Sequence, residues 1–340
     1  MVFCFSLTFL RGVFVKKERK CIIVTGGAGF IGSNFIFYML NKYSEYKIVC
    51  IDKLTYAANI ATLYPIMSNP RFHFIKADIC DRKSMDKIFN DEKPNIVVNF
   101  AAESSVERSV ENTELFVQTN VNGTVILMDL CLKYNVEKFH QVSTDEVYGD
   151  LQLKQNDAFT EESILSPNNP YSISKATADM LVLNYHKIHS LPITISRCSN
   201  NYGPFQNTEK LIPLMVTKIL KNEKLPVHGD GTNIRDWIHV QDHCSAIDMI
   251  VHDGKIGEIY NVCSNNELKN IEVISTIVDN MKYNKENIVF VKDRKTNDKK
   301  YSMNCNKIKN EIGWSPMIKF QDGLLSTIKW YENNMFWWHG

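Results

Sequence analysis

From Cys21 to Arg197 the chain alternates short apolar runs with longer stretches in which apolar residues recur every three or four positions. The short runs predict strands at 21–25, 47–51, 72–76, 96–100, 139–143 and 192–197. The amphipathic stretches predict helices at 31–43, 82–90, 115–134 and 171–189. Several strand runs are apolar on both faces, as parallel strands covered by helices must be. Alternating β and α units joined by right-handed crossovers give an α/β fold with a doubly wound parallel sheet. Past residue 200 the regularity falls. Pro204, Pro213 and Pro226 punctuate the chain, and Gly229-Asp230-Gly231 signals a turn. Helices are expected at 211–222 and 240–252, a strand at 258–262, and a polar loop over 285–301. The expected division is a leader at 1–20, a dinucleotide-binding domain at 21–200 and a smaller substrate-binding cap at 201–340, partly interleaved with the first.

Composition narrows the class. The 340 residues carry a formal charge of +1 and no polybasic stripe, which argues against a nucleic-acid partner. Nine cysteines are scattered singly, with no C-x-x-C, so no zinc ribbon, redox dithiol or other metal site is expected. This usage fits a reducing, cytoplasmic setting. The run from Val2 to Val15 is apolar but too short for a bilayer and is interrupted by Arg11. It reads as a disordered leader, and no later membrane-length segment is expected.

Thr25-Gly26-Gly27-Ala28-Gly29-Phe30-Ile31-Gly32 follows a predicted strand and opens a predicted helix. Gly26 permits a tight turn, Gly29 lets backbone approach a pyrophosphate, and Gly32 allows close helix–sheet packing. The free N–H groups of the helix start favour phosphate. Asp52 ends the second strand, where a carboxylate binds an adenosine ribose and repels a 2′-phosphate. NAD is therefore expected over NADP, although the adjacent Lys53 weakens that choice. Asp78 and Ile79 follow the third strand at an adenine-facing position; a helix cap or surface turn explains them equally well.

Downstream, Ser143-Thr144-Asp145-Glu146 ends a strand, and Tyr171 and Lys175 are four apart on a predicted helix. The ammonium would lower the phenol's pKa, making Tyr171 a base for a sugar hydroxyl. Thr144 would orient that hydroxyl. Adjacent residues in a strand face opposite ways, so Asp145 and Glu146 serve one substrate only if the chain bends there. Two crowded carboxyls hold different protonation states, one acid and one base. Taken alone, an acidic surface turn is as good a reading.

With TGGAGFIGS, STDEVYG, YSISKA, RCSNNYGP and GDGTNIRDW in view, the chain resembles the extended short-chain dehydrogenase/reductases of Rossmann fold. More narrowly it resembles the nucleoside-diphosphate-glucose 4,6-dehydratases that act on dTDP- or UDP-glucose in rhamnose-type deoxysugar synthesis. The resemblance implies an NAD-dependent hydro-lyase. Tyr171 would take the O4 proton as hydride leaves C4, Glu146 the C5 proton, and Asp145 would protonate the departing C6 hydroxyl. It also implies cofactor contacts at Phe30, Ile31, Lys53, Ala101, Tyr171 and Lys175. Nucleotide contacts would come from Asn200, Lys210, Arg235, Asn270 and Arg294.

Two stretches depart from the bacterial dTDP pattern: Ser104-Ser105-Val106-Glu107-Arg108, and Arg294 to Tyr301. They leave the choice between thymine and uracil open. A UDP-sugar 4-epimerase and a non-catalytic NAD-binding scaffold are the alternatives; the second is disfavoured by the intact Tyr-x-x-x-Lys pair. Apolar residues over 125–132 and 180–183 suggest a homodimer.

Overall fold

The computed structural model describes residues 20–151, 158–293 and 298–338. The leader, apart from Lys20, and Arg294 lie outside the described residues. The strands are β1 (Lys20–Thr25), β2 (Tyr46–Asp52), β3 (Phe72–Lys76), β4 (Ile96–Asn99), β5 (Lys138–Thr144) and β6 (Ile193–Cys198). They continue as β7 (Asn200–Tyr202), β8 (Leu225–His228), β9 (Ile234–His239), β10 (Ile259–Val262), β11 (Glu267–Lys269) and β12 (Ile288–Val291). The helices are α1 (Phe30–Lys42), α2 (Arg82–Glu92), α3 (Val106–Glu111), α4 (Thr113–Phe116), α5 (Gly123–Lys133) and α6 (Pro170–His189). They end with α7 (Leu211–Leu220), α8 (Val240–Asp253), α9 (Asn270–Asn280), α10 (Asn306–Ile312), α11 (Phe320–Asn333) and α12 (Met335–Trp338).

Seven parallel strands form one sheet in the order β10-β6-β5-β4-β1-β2-β3. Alternate residues of β1 feed opposite faces: Ile23 joins one core with α2, α5 and α6, while Ile22 and Val24 join another with α1 and α8. Fully burying such a side chain stabilises by about 1.5–3 kcal/mol, which is why both faces must be apolar. Chain order reverses between β1 and β4, the switch point at which ligands bind in open α/β sheets. A buried polar chain ties those strand ends together. Thr25 Oγ1 donates to Asn99 Oδ1 at 2.6 Å, and Asn99 Nδ2 donates to Gln141 Oε1 at 2.8 Å.

The six strands and four helices expected before residue 200 appear within about three residues of their expected bounds. The helix expected at 115–134 is one run from Thr113 to Lys133 with a π-turn at Val117–Asn122. This run corrects one expectation. It is long and apolar enough to cross a membrane by length and composition, but Phe116, Leu127, Met128 and Cys131 are buried in the fold.

Beyond residue 200 the structure differs more. The expected strand at 258–262 becomes β10 and completes the main sheet beside β6. The segment expected to be a polar loop contains β12, whose Ile-Val-Phe-Val run pairs in parallel with β8. A third core, under α7, α9 and α11, holds this part together.

Candidate active site

A cavity of about 310 Å³ opens along the carboxyl ends of β1, β4 and β5. The turn after β1 forms one wall. Gly26 has φ +66°, and a Cβ on it would come within 2.7 Å of the Ala101 backbone after β4. At Gly32 a Cβ would meet Gly26 O at 2.4 Å, so helix and turn touch only because Gly32 lacks a side chain. Helix α1 begins without a side-chain cap and without an acid in its first turn. Its N–H groups and positive end thus suit a pyrophosphate.

Asp52 accepts from the backbone N–H of Ala28 (3.0 Å, Oδ2) and of Leu54 (2.8 Å, Oδ1). These bonds hold it beside the glycine turn. Burial raises its pKa, and the same backbone donors oppose that shift. Lys53 is committed elsewhere: its Nζ lies 3.5 Å from Glu103, 3.7 Å from Asp78 and 3.2 Å from the Thr119 hydroxyl. Two carboxylates thus neutralise the one cation that weakened the choice of NAD. Gly29, Phe30, Ile31, Asp78, Ile79 and Ala101 complete this half of the lining. Asp78 also caps the following turn, accepting from Cys80 N at 2.9 Å, which is the turn reading of it. The residues present fit a dinucleotide.

The other half is built on β5 and α6. Asn169 caps α6 in a reciprocal box with Ser172, and Pro170 occupies the first turn. Tyr171 and Lys175 then fall on one face, and both line the cavity. At the end of β5 the chain bends into a 3₁₀ turn, Asp145–Tyr148, whose cap Thr144 accepts from Glu146 N at 3.3 Å. This is the bend that the adjacent carboxyls required, and Thr144, Asp145 and Glu146 all line the cavity.

The electrostatics separate the two carboxyls. Burial, with Glu146 beside it, pushes Asp145 up to about 8, while its Oδ1 accepts from Thr144 Oγ1 at 3.1 Å. Glu146 is also raised by burial but is opposed by Lys210, Arg235 and an Asn169 hydrogen bond. Asp145 therefore keeps its proton at neutral pH. The expectation for Tyr171 is corrected. Burial and Glu146 push its phenol well above the ordinary value, and Thr144's hydrogen bond opposes them. Lys175 points its ammonium instead at Val142 O, 2.6 Å away. Spacing set the two on one face but not the direction of the ammonium.

Of the expected nucleotide contacts, Asn200 and Lys210 line the cavity. Arg235 lies behind that wall. It donates to Ile234 O and Asp298 O and stacks 4.3 Å from the Tyr301 ring centroid. Asn270 opens α9, and its N–H donates to Asn233 O; it does not line the cavity. Sequence reasoning missed Glu103, Ser199 and Gln206 as lining residues. The signal was present, since all three lie inside or beside the 104–108 and RCSNNYGP stretches. Ser199 Oγ, Asn200 Oδ1 and Gln206 Oε1 are buried without partners, acceptors and donors left over for a ligand.

The model of the family described as GDP-mannose 4,6 dehydratase matches residues 23–327. The chain belongs to this family. It is 44% identical over 333 residues to the dTDP-glucose 4,6-dehydratase of Haemophilus influenzae, covering 92% of this chain and 98% of the relative. Among solved structures it resembles dTDP-glucose 4,6-dehydratase from Bacillus anthracis in complex with NAD. That pair shares 48% identity and a TM-score of 0.88, covering 94% of this chain and 99% of the other. DesIV from Streptomyces venezuelae, a dTDP-glucose 4,6-dehydratase with NAD and TYD bound, gives 40% identity and a TM-score of 0.90, covering 94% and 98%. A UDP-glucose 4-epimerase from Thermotoga maritima shares the fold at 28% identity, TM-score 0.86, covering 93% and 99%. The sheet is thus the Rossmann arrangement of extended short-chain dehydrogenases, as expected.

Proposed function

We propose that this protein is an NAD-dependent dTDP-glucose 4,6-dehydratase, a hydro-lyase feeding deoxysugar synthesis. The carrying observation is that Asp145 and Glu146 both face one cavity with Thr144 and Tyr171. An epimerase needs a base for one hydroxyl; a second acid–base pair is surplus to it and is what elimination of water requires. The thymidine nucleotide is favoured because the relatives at 40–48% identity carry that name.

Bound NAD would supply a hydride acceptor for C4 and, reduced, a hydride donor for C6. Tyr171 would take the O4 proton once the cationic nicotinamide beside it offsets the burial and the Glu146 charge that raise its phenol, with Thr144 aligning that hydroxyl and Lys175 holding the nicotinamide-side ribose. The C4 carbonyl acidifies the C5 proton, which Glu146 takes and gives back to C5 when the hydride reaches C6. Asp145, protonated at neutral pH, delivers its proton to the C6 hydroxyl as water leaves. Gly26, Gly29, Gly32 and Asp52 bind the dinucleotide. Asn200 and Lys210 face the sugar nucleotide, and Arg235 acts on Glu146 from behind that wall.

The protein acts as a homodimer in this reading. Val125, Leu132, Leu181 and Leu183 pack on the sheet core. Ile173, Met180 and Ile188 leave an exposed apolar face on α6. Purified protein incubated separately with dTDP-glucose and UDP-glucose should convert the first to a product lighter by one water, with no net NADH. Conversion of neither sinks the assignment, and a C4 epimer as the sole product moves it to the epimerases.

A further inference from the structure

Behind the cavity wall, buried polar side chains from five elements touch in series. Asp179 lies one turn beyond Lys175 on α6, so Tyr171, Lys175 and Asp179 form a ladder on one face. Its carboxylate is fully buried. Oδ2 accepts from Ser143 Oγ at 3.0 Å and from Arg197 Nε at 2.9 Å, while Oδ1 has no hydrogen-bond partner. Arg197, on β6, is 2% exposed and donates through Nη1 to the Tyr148 hydroxyl at 3.0 Å. Tyr148 closes the turn that carries Asp145 and Glu146, and its hydroxyl donates to Asn261 Oδ1 on β10 at 2.7 Å. Asp179, Arg197 and Tyr148 do not line the cavity.

A buried Asp–Arg pair is a weak source of stability, since packed apolar side chains of the same volume serve as well or better. What this pair touches gives it another use. One end sits one helical turn from Lys175 and the other fixes the residue that terminates the catalytic turn. We propose, resting on the dehydratase reading above, that Asp179 is a positioning residue: the counter-ion of Lys175 and, through Arg197 and Tyr148, the anchor of the Asp145–Tyr148 turn. The Val142 carbonyl from β5 accepts from the ammonium, and the Asp179 carboxylate on its own helix and the Cys198 thiol from β6 are the charged and titratable groups that act on it. Burial lowers the lysine's pKa and Asp179 is the larger opposing influence. Without that carboxylate the ammonium loses its proton at lower pH.

The test uses the full chain in two variants. Asp179→Asn keeps the shape and removes the charge. The alkaline limb of kcat, and that of NAD affinity measured by calorimetry, should both move down by about one pH unit. KM for the sugar nucleotide should stay within about twofold, because no substrate contact is lost. Tyr148→Phe keeps the ion pair and the ring stacked on Phe159 but cuts the link to the turn. A misaligned acid–base pair should slow water loss by about tenfold to a hundredfold while C4 oxidation keeps its rate, so the cofactor dwells in the reduced form. Alkaline limbs that coincide with wild type in Asp179→Asn, or an unchanged ratio of the two steps in Tyr148→Phe, overturn the proposal. Should Asp179→Asn fail to fold, the Tyr148→Phe ratio decides. The calorimetric arm needs no turnover: wild type inactive on dTDP-glucose sinks the dehydratase reading, and the NAD limbs still rule on Asp179.

Discussion

Replacing Asp145 by asparagine should make the protein more stable and nearly inactive. In the unfolded chain this carboxyl ionises near 3.8; in the folded chain burial and Glu146 push it up to about 8. A carboxyl whose folded value is raised contributes nothing unfavourable below the unfolded value. Its penalty grows as pH climbs from there to the folded value, then levels off. At about 1.4 kcal/mol per pH unit, the folded state forgoes on the order of 4 kcal/mol at pH 7. Asparagine has nearly the same volume, keeps an oxygen to accept from Thr144, and never ionises. Allowing for the amide's own burial, we expect a gain of about 2–4 kcal/mol at pH 7. That is a rise in melting temperature of roughly 5 °C. The acid for the C6 hydroxyl is gone, so kcat should fall about a hundredfold to ten-thousandfold. Urea titrations of both proteins at pH 4, 6 and 8 measure the gap, which should widen with pH. A gap of the same size at all three, or a wild type more stable than Asp145→Asn at pH 8, refutes the reasoning.

Glu146→Gln should permit C4 oxidation and block proton removal from C5. Near-ultraviolet absorbance should then show reduced cofactor held on the enzyme, and rapid release of dehydrated product would contradict the role. Asp52→Asn should weaken NAD by about tenfold and bring NADP closer to it, since the 2′-phosphate no longer meets a carboxylate; a calorimetric preference identical to wild type would count against Asp52 as the ribose ligand. Met180→Glu puts a charge on the exposed face of α6 and should convert a dimer to a monomer in light scattering, and a dimer that persists places the interface elsewhere.

The cofactor half was legible because its signals are local. A glycine turn, a carboxylate at a strand end and a Tyr-x-x-x-Lys spacing each need only a few consecutive residues and the period of one element. The cap was harder because its pairings join distant segments. β8 finds β12 across α9, and β10 leaves its neighbours in sequence to complete the main sheet. Four apolar residues between charged flanks look like a loop until their partner is known. At the site, spacing predicted which side chains meet and failed on what they do to one another. Tyr171 and Lys175 share a face as required, yet the phenol's environment is written by Glu146 and burial, and the ammonium answers to Val142. Burial is a property of the assembled sheet, and it sets the protonation of Asp145. The same carboxyl in an open turn would titrate near its ordinary value and could not serve as an acid at neutral pH. The motif thus names the reagents, and the seven-stranded sheet closing over them fixes which one holds the proton.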